Sequence, residues 1–229
     1  MENGDVEQHF ARQAGEYDAL MARIIPWYGP GQELMVDLLP LDPHRPIRVL
    51  DLGSGPCSLA AAVLARWPQA TIHAVDLTEE MLADCRSRLA AFGARWSLQQ
   101  GDFREVDLGA GYDAILAGLT LHHLTAEERR TMYRRLRTAL NPGGILVARD
   151  VLRDTDPAVT AWHHRLWRDF MQAQGEDGDF WLGKHREKDH AEPLEVLMRW
   201  EQEAGFERPV SHWRQHHFAI HTASVPDPE

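Results

Sequence analysis

Apolar positions recur at helical spacing from residue 5 to residue 39, with interruptions at Pro26 and Pro30, and end in the turn-rich run PLDPHRP from Pro40 to Pro46. From Ile47 the pattern changes to short apolar runs alternating with amphipathic segments: IRVLDL, SLAAAVLARW, TIHAVDL, EEMLADCRSRLAAF, WSLQQGD, YDAILAG, AEERRTMYRRLRTAL and GILVARDVL. Strand candidates separated by helices predict an α/β fold with a parallel, doubly wound sheet, because parallel neighbours need helical crossovers that cover both faces. The turn residues Asn141 to Gly144 stop the last of these helices and lead into the fifth strand. Residues 154–174 read as a helix rich in Trp and His, whereas 175–192, GEDGDFWLGKHREKDHAE, reads as an irregular polar loop. That loop is placed to close over the carboxyl ends of the strands, where open α/β sheets bind ligands. A helix from Pro193 to Ala204, a stop at Gly205 and two strands, 206–214 and 216–222, complete the chain. Alternation in QHHFAIH puts His216, Phe218 and Ile220 on one face and His217, Ala219 and His221 on the other, so these histidines are expected to be half-exposed.

Without repeats or a linker, the 229 residues predict one domain: an N-terminal helical segment 1–46, a ligand-binding core 47–151, a cap insertion 152–192 and a C-terminal helix with strands 193–229. A composition of 44% hydrophobic and 26% charged residues excludes collagen, coiled coil and extended disorder. No apolar run approaches the roughly 18 residues of a membrane span, and the polar start MENGDVEQHF lacks a secretory pattern, so a cytoplasmic protein is expected. The formal charge of −11 disfavours nucleic acid as a partner. Cys57 and Cys85 are too few for a disulfide framework or a Cys-based zinc site and read as buried core thiols. Oligomeric state stays open.

The most informative stretch is VLDLGSGPCSLA, a strand that ends in Asp51 and turns through Gly53, Ser54 and Gly55 into a helix. Glycines let a ligand approach the backbone closely, and the helix start offers free N–H groups, a combination suited to a nucleotide-like ligand. A dinucleotide fingerprint would place glycine at position 58, where the chain has Ser58. Asp76 ends the second strand at a distance from Gly53 that suits a carboxylate binding ribose hydroxyls. After the third strand, Asp102 offers an acceptor for an exocyclic adenine amine, and Phe103 a wall for the ring.

With these residues in place the chain resembles the class I S-adenosylmethionine-dependent methyltransferases, from HFARQAGEYDAL through VLDLGSGPC, AVDLTEEML, QGDF, LAGLTLHHL and LNPGG to AGFERPVSHWRQHHFAI. The resemblance implies S-adenosylmethionine as cofactor and a Rossmann-like sheet of seven strands, the last antiparallel, with N-terminal helices and a helical cap insertion. It implies that Gly53, Ser54 and Gly55 contact the methionine part, Asp76 the ribose and Asp102 the adenine. Leu77 and Met81 would flank the adenine, Tyr17 would approach the methionine part, and Asp51, Phe103 and Ala117 join the cofactor set. Cys57 stands where the family often has another glycine.

Methyl transfer needs an aligned acceptor, exclusion of water and, for a protonated acceptor, a base. His122 and His123, at the end of the fourth strand, are the candidate catalytic bases. Trp27, Tyr28, Trp181, His185, Arg186 and His190 are candidates for the acceptor site: aromatic rings for a chamber, and Arg186 for a carboxylate or phosphate. A metal bound by His122, His123, His163, His164, His185, Asp189 and His190 is set aside, because their spacing matches no compact ligand motif. The expected function is methyl transfer from S-adenosylmethionine to a small-molecule acceptor. The alternatives are an enzyme that uses the same cofactor on a tRNA wobble uridine or modifies the cofactor itself, a non-catalytic cofactor-binding protein, and an NAD-dependent oxidoreductase.

Overall fold

A computed structural model describes residues 17–227; the helical reading of residues 5–16 lies outside them. Helices α1 (Tyr17–Ile24) and α2 (Tyr28–Asp37) are separated at Pro26, while Pro30 is accommodated in the first turn of α2, where no intrahelical N–H bond is lost. Five strands then alternate with helices: β1 (Ile47–Leu52), α3 (Ser58–Arg66), β2 (Ala70–Asp76), α4 (Glu79–Leu89), β3 (Trp96–Gln100), β4 (Tyr112–Gly118), α5 (Ala126–Ala139) and β5 (Leu140–Val151). Helices α6 (Pro157–Ala173), α7 (Gly178–Lys188) and α8 (Leu194–Glu203) follow, and β6 (Glu207–Gln215) and β7 (Phe218–Ser224) end the sheet. Among the described residues, no helix is long and apolar enough to cross a membrane.

The seven strands lie in the order β3-β2-β1-β4-β5-β7-β6, with β7 antiparallel to both β5 and β6 and the other pairings parallel. Each central strand is buried on both sides because its alternate residues enter different cores. On β1, Ile47 and Val49 pack with α2, α3 and α4, whereas Leu50 and Leu52 face α5 and α8. A third apolar group joins Leu20, Met21 and Ile24 of α1 to Trp167 and Met171 of α6, Trp181 and Leu182 of α7, and Phe218.

Three expectations change. Residues 178–188 form a helix, begun by Asp177, whose side chain accepts from the Phe180 N–H. Its buried face is Trp181, Leu182 and His185, too short and too mixed to show as an apolar period. His217 and His221 are 1% and 0% exposed, because β6 pairs along the outer edge of β7 and makes β7 an interior strand. His221 lies 2.8 Å from the Glu201 carboxylate. Burial alone would lower its pKa, but the Glu201 charge raises it overall. Finally, Cys57 and Cys85 form a disulfide between the glycine turn and α4, a pairing visible only once the fold sets the α3 and α4 crossovers side by side.

The interior also holds Arg129 and Asp150, each 0% exposed. Arg129 of α5 donates to the Leu121 carbonyl at 3.0 Å and places its guanidinium 3.2 Å from Asp150 on β5. Replacing Asp150→Ala leaves that cation buried without its counter-charge. A loss of about 3–5 kcal/mol is expected in chemical denaturation; a loss under about 1 kcal/mol, as for an exposed pair, would contradict the assignment.

Candidate functional site

The carboxyl ends of β1 and β4, adjacent in the sheet, bound a pocket whose walls include Tyr17, Tyr28, Asp51, Gly53, Leu119 and Arg149. Gly53 has φ +61, and a Cβ there would overlap the Thr120 side chain, so the turn admits only glycine. Gly55 (φ +52) donates its N–H to Asp76 Oδ2 at 2.8 Å and faces the Tyr17 ring. Cys57 has φ +60, a conformation that favours glycine and accounts for the family's usual residue there. Asp76 also accepts from the Thr78 N–H at 3.0 Å, and its pKa is raised by burial in spite of these bonds.

Asp51 is 1% exposed, and burial, reinforced by the nearby Asp76 charge, pushes its carboxyl up to about 8. Asp51 Oδ2 and Ser54 Oγ are buried without a hydrogen-bond partner among the described residues. Two orphaned oxygens beside a glycine cradle fit a ligand that carries an ammonium group and a carboxylate or hydroxyl. Opposite them, Arg149 (1% exposed) donates to the Pro26 and Tyr28 carbonyls at 2.9 and 3.1 Å, and its Nε is also without a hydrogen-bond partner among the described residues. Asp18 ties Tyr28 to Ser58 through hydrogen bonds of 3.1 and 2.8 Å.

Of the cofactor set, Tyr17, Asp51, Gly53, Ser54 and Gly55 meet at the pocket, with Asp76 behind the turn. Leu77 is 50% exposed and Met81 6% on the adjoining α4. Asp102 is engaged by Arg104, whose Nε lies 3.0 and 2.9 Å from its two oxygens and whose side-chain hydrogen bonds hold the carboxyl low. Phe103 packs against the core, and Ala117 is fully buried within it; the pocket wall beside β4 is formed instead by Gly118 and Leu119. Arg149 was missed, although RD inside an apolar strand is an unusual pair that marks buried charge.

Past Leu119 the chain makes a short helical turn, Leu121–His123. His122 is 5% exposed, and its Nδ1 lies 3.0 Å from the Asp150 carboxylate, which also accepts from the Val151 N–H. Burial lowers its pKa, with the His123 charge acting in the same direction. The His122 carbonyl accepts from the His190 N–H at 2.7 Å, which brings the end of α7 onto this turn. There Asp189 receives His123 Nδ1 at 3.0 Å and His185 Nδ1 at 2.8 Å. Three histidines from two separated segments thus surround one carboxylate. The other acceptor candidates scatter: Tyr28 lines the pocket, Trp181 is 8% exposed in the packing beneath α7, Trp27 stacks on Trp213 at 4.7 Å, and Arg186 and His190 are exposed.

A family model described as methyltransferase domain matches residues 49–144. A carboxy-S-adenosyl-L-methionine synthase of Shewanella baltica is 30% identical over 72% of this chain and 69% of its own length. Another from Campylobacter concisus is 28% identical over 71% of this chain and 69% of its own. Human N-acetylserotonin methyltransferase, solved in complex with S-adenosylmethionine, shares the fold with a TM-score of 0.64 at 19% identity, over 99% of this chain and 60% of that one. The chain therefore spans about three fifths of that solved protein's length. With the seven-stranded sheet, the glycine turn and these relatives in agreement, the chain belongs to the class I S-adenosylmethionine-dependent methyltransferases, and S-adenosylmethionine is its cofactor.

Proposed function

We propose that the protein transfers a methyl group from S-adenosylmethionine to a small-molecule acceptor seated between the cofactor pocket and α7. One observation carries this reading: the pocket wall at Gly118 and Leu119 continues directly into the turn that carries His122 and His123, against which the end of α7 is pinned. Cofactor binding and polar groups for a second ligand are thereby contiguous. When bound, the cofactor supplies an electrophilic methyl group. Asp51 takes the ammonium of its methionine part, with Ser54 and the Gly53–Gly55 backbone beside it. Asp76 takes the ribose hydroxyls, accepting from them by charge-assisted hydrogen bonds of the kind it already makes with the Gly55 N–H. Leu77 and Met81 flank the adenine, and Asp102, although bound by Arg104, retains lone pairs for the exocyclic amine. His122 and His123 face the acceptor, and the net charge of −11 favours a small molecule over RNA.

A second reading, modification of the cofactor itself, is favoured by the names of the curated relatives and by Arg149, whose cation in the pocket wall suits a ligand carboxylate. The product separates the two. Methyl transfer yields S-adenosylhomocysteine and an acceptor heavier by a methyl group, whereas the second reading yields a heavier S-adenosyl compound.

Calorimetry tests the shared step. S-adenosylmethionine and S-adenosylhomocysteine are expected to bind wild type, and Asp76→Ala to lose about 10²-fold or more, the worth of two hydrogen bonds to a charged group. Unchanged affinity in Asp76→Ala would remove the ribose role. Asp51 adds a pH signature. Since its carboxyl in the free protein is pushed up to about 8, it is protonated near pH 7, and an ammonium beside it favours the carboxylate. Binding is therefore expected to release up to one proton at about pH 7, and above about pH 9 to take protons up instead, because the free ligand's amino group, with a pKa of about 8, must then gain a proton to bind as an ammonium, read by titration in buffers of different ionisation enthalpy. Release that persists in Asp51→Asn would assign the proton elsewhere.

A further inference from the structure

We infer that His122, His123 and Asp189 form a binding site for a divalent transition-metal ion of the zinc or iron(II) class. One ligand atom from each lies within 4.8 Å of the other two, a convergence of two imidazoles and one carboxylate. Two donors held about 2.1 Å from one ion at a tetrahedral angle lie about 3.4 Å apart. The two imidazoles approach the two oxygens of the same carboxylate at distances near that value, 3.0 Å from His123 Nδ1 to Asp189 Oδ1 and 3.9 Å from His122 Nε2 to Asp189 Oδ2.

The surrounding groups orient two of these donors, His122 and Asp189. Asp150 is ion-paired with Arg129 and so accepts at His122 Nδ1, which must carry the proton. That leaves the Nε2 lone pair directed toward Asp189, at 3.9 Å and beyond hydrogen-bond length. A lone pair facing a carboxylate is the arrangement a cation relieves. Carboxylate–histidine pairs of this kind fix the tautomer and direction of metal-bound imidazoles in general. His185 does the same for Asp189, holding Oδ2 at 2.8 Å from the helix turn before it. The bond from the His190 N–H to the His122 carbonyl joins the two ligand-bearing segments. His122 and Asp189 are largely buried, whereas the His123 side chain is 54% exposed, so an ion has both a sheltered seat and an entry side.

Two His and one carboxylate select zinc, iron(II) or a close relative over magnesium or calcium. Three protein ligands leave coordination positions open. If the methyl-transfer reading holds, those positions would receive an ionisable oxygen or sulfur of the acceptor, and His122 and His123 are ligands in place of free bases. The ion site itself stands on the geometry alone.

The test uses chelator-treated full-length protein titrated with Zn(II) by calorimetry and with Co(II) by visible absorption, alongside circular dichroism to confirm folding. One ion per chain is expected, with the intense d–d bands of low-coordinate cobalt. His123→Ala and Asp189→Asn are each expected to weaken binding by more than about 10-fold, the least loss expected for a group that orients a ligand. His44→Ala, remote from the cluster, should leave binding unchanged. Absence of binding, weak six-coordinate cobalt bands, or equal affinity in all three variants would overturn the site. Cofactor titration of the same samples keeps the two proposals apart. Ion binding without cofactor binding would sink the methyl-transfer reading alone, and cofactor binding without an ion would sink the metal site alone.

Discussion

The arrangement at the carboxyl edge of β4 and β5 depends on one buried carboxylate. Asp150 sits at the inner end of β5 with no exposure, and such a group is stable as an anion only if its neighbours replace water. Burial by itself would raise its pKa; the Arg129 charge and the bond from His122 more than offset this and hold it low. Each partner belongs to a different element: Arg129 to α5, His122 to the turn after β4, the Val151 N–H to its own strand. Neutralising one charge therefore joins three segments, and it also decides which nitrogen of His122 is free. Arg129 extends the linkage to the Leu121 carbonyl, so the whole turn is tied down from beneath.

A second constraint comes from sheet order. Between β1 and β4 the succession of strands changes direction, and the loops that leave those two strands diverge to opposite faces. The crevice between them receives Asp51 and the glycine turn from one side and Gly118 and Leu119 from the other. Close packing of Gly53 on Thr120 connects the halves, so the turn that presents backbone N–H groups is held against the segment that leads to His122. The cofactor end and the histidine end are thus neighbours along a single chain segment five residues long, 118–122.

Where side chains obey a simple period, the sequence was readable. The five parallel strands, their crossover helices, the glycine turn and Asp76 all followed from apolar runs and turn residues, because strands buried on both faces leave little room for polar exceptions. The family resemblance added the antiparallel β7. Helix α7 was unreadable for the opposite reason, since the side it buries mixes Trp181, Leu182 and His185 and so carries no apolar stripe. The contacts that distinguish the site are long-range: Asp189 with His122 and His123, Cys57 with Cys85, Arg149 with the 26–28 carbonyls. Spacing along the chain cannot express any of these. The carboxylate beside His122 and His123 likewise comes from a distant segment, just past the end of α7, which spacing among the histidines does not reveal.

The central claim is that Asp150 fixes the His122 tautomer and aims Nε2 at Asp189. Long-range proton–nitrogen correlation NMR on metal-free, nitrogen-15-labelled protein, with His122→Gln used to assign the ring, measures this directly. A neutral imidazole protonated at Nδ1 is expected, with an Nε2 shift typical of a bare ring nitrogen. A ring protonated at Nε2 alone would contradict it, because Asp150 would then have no proton to accept and the free lone pair would point away from the Asp189 cluster.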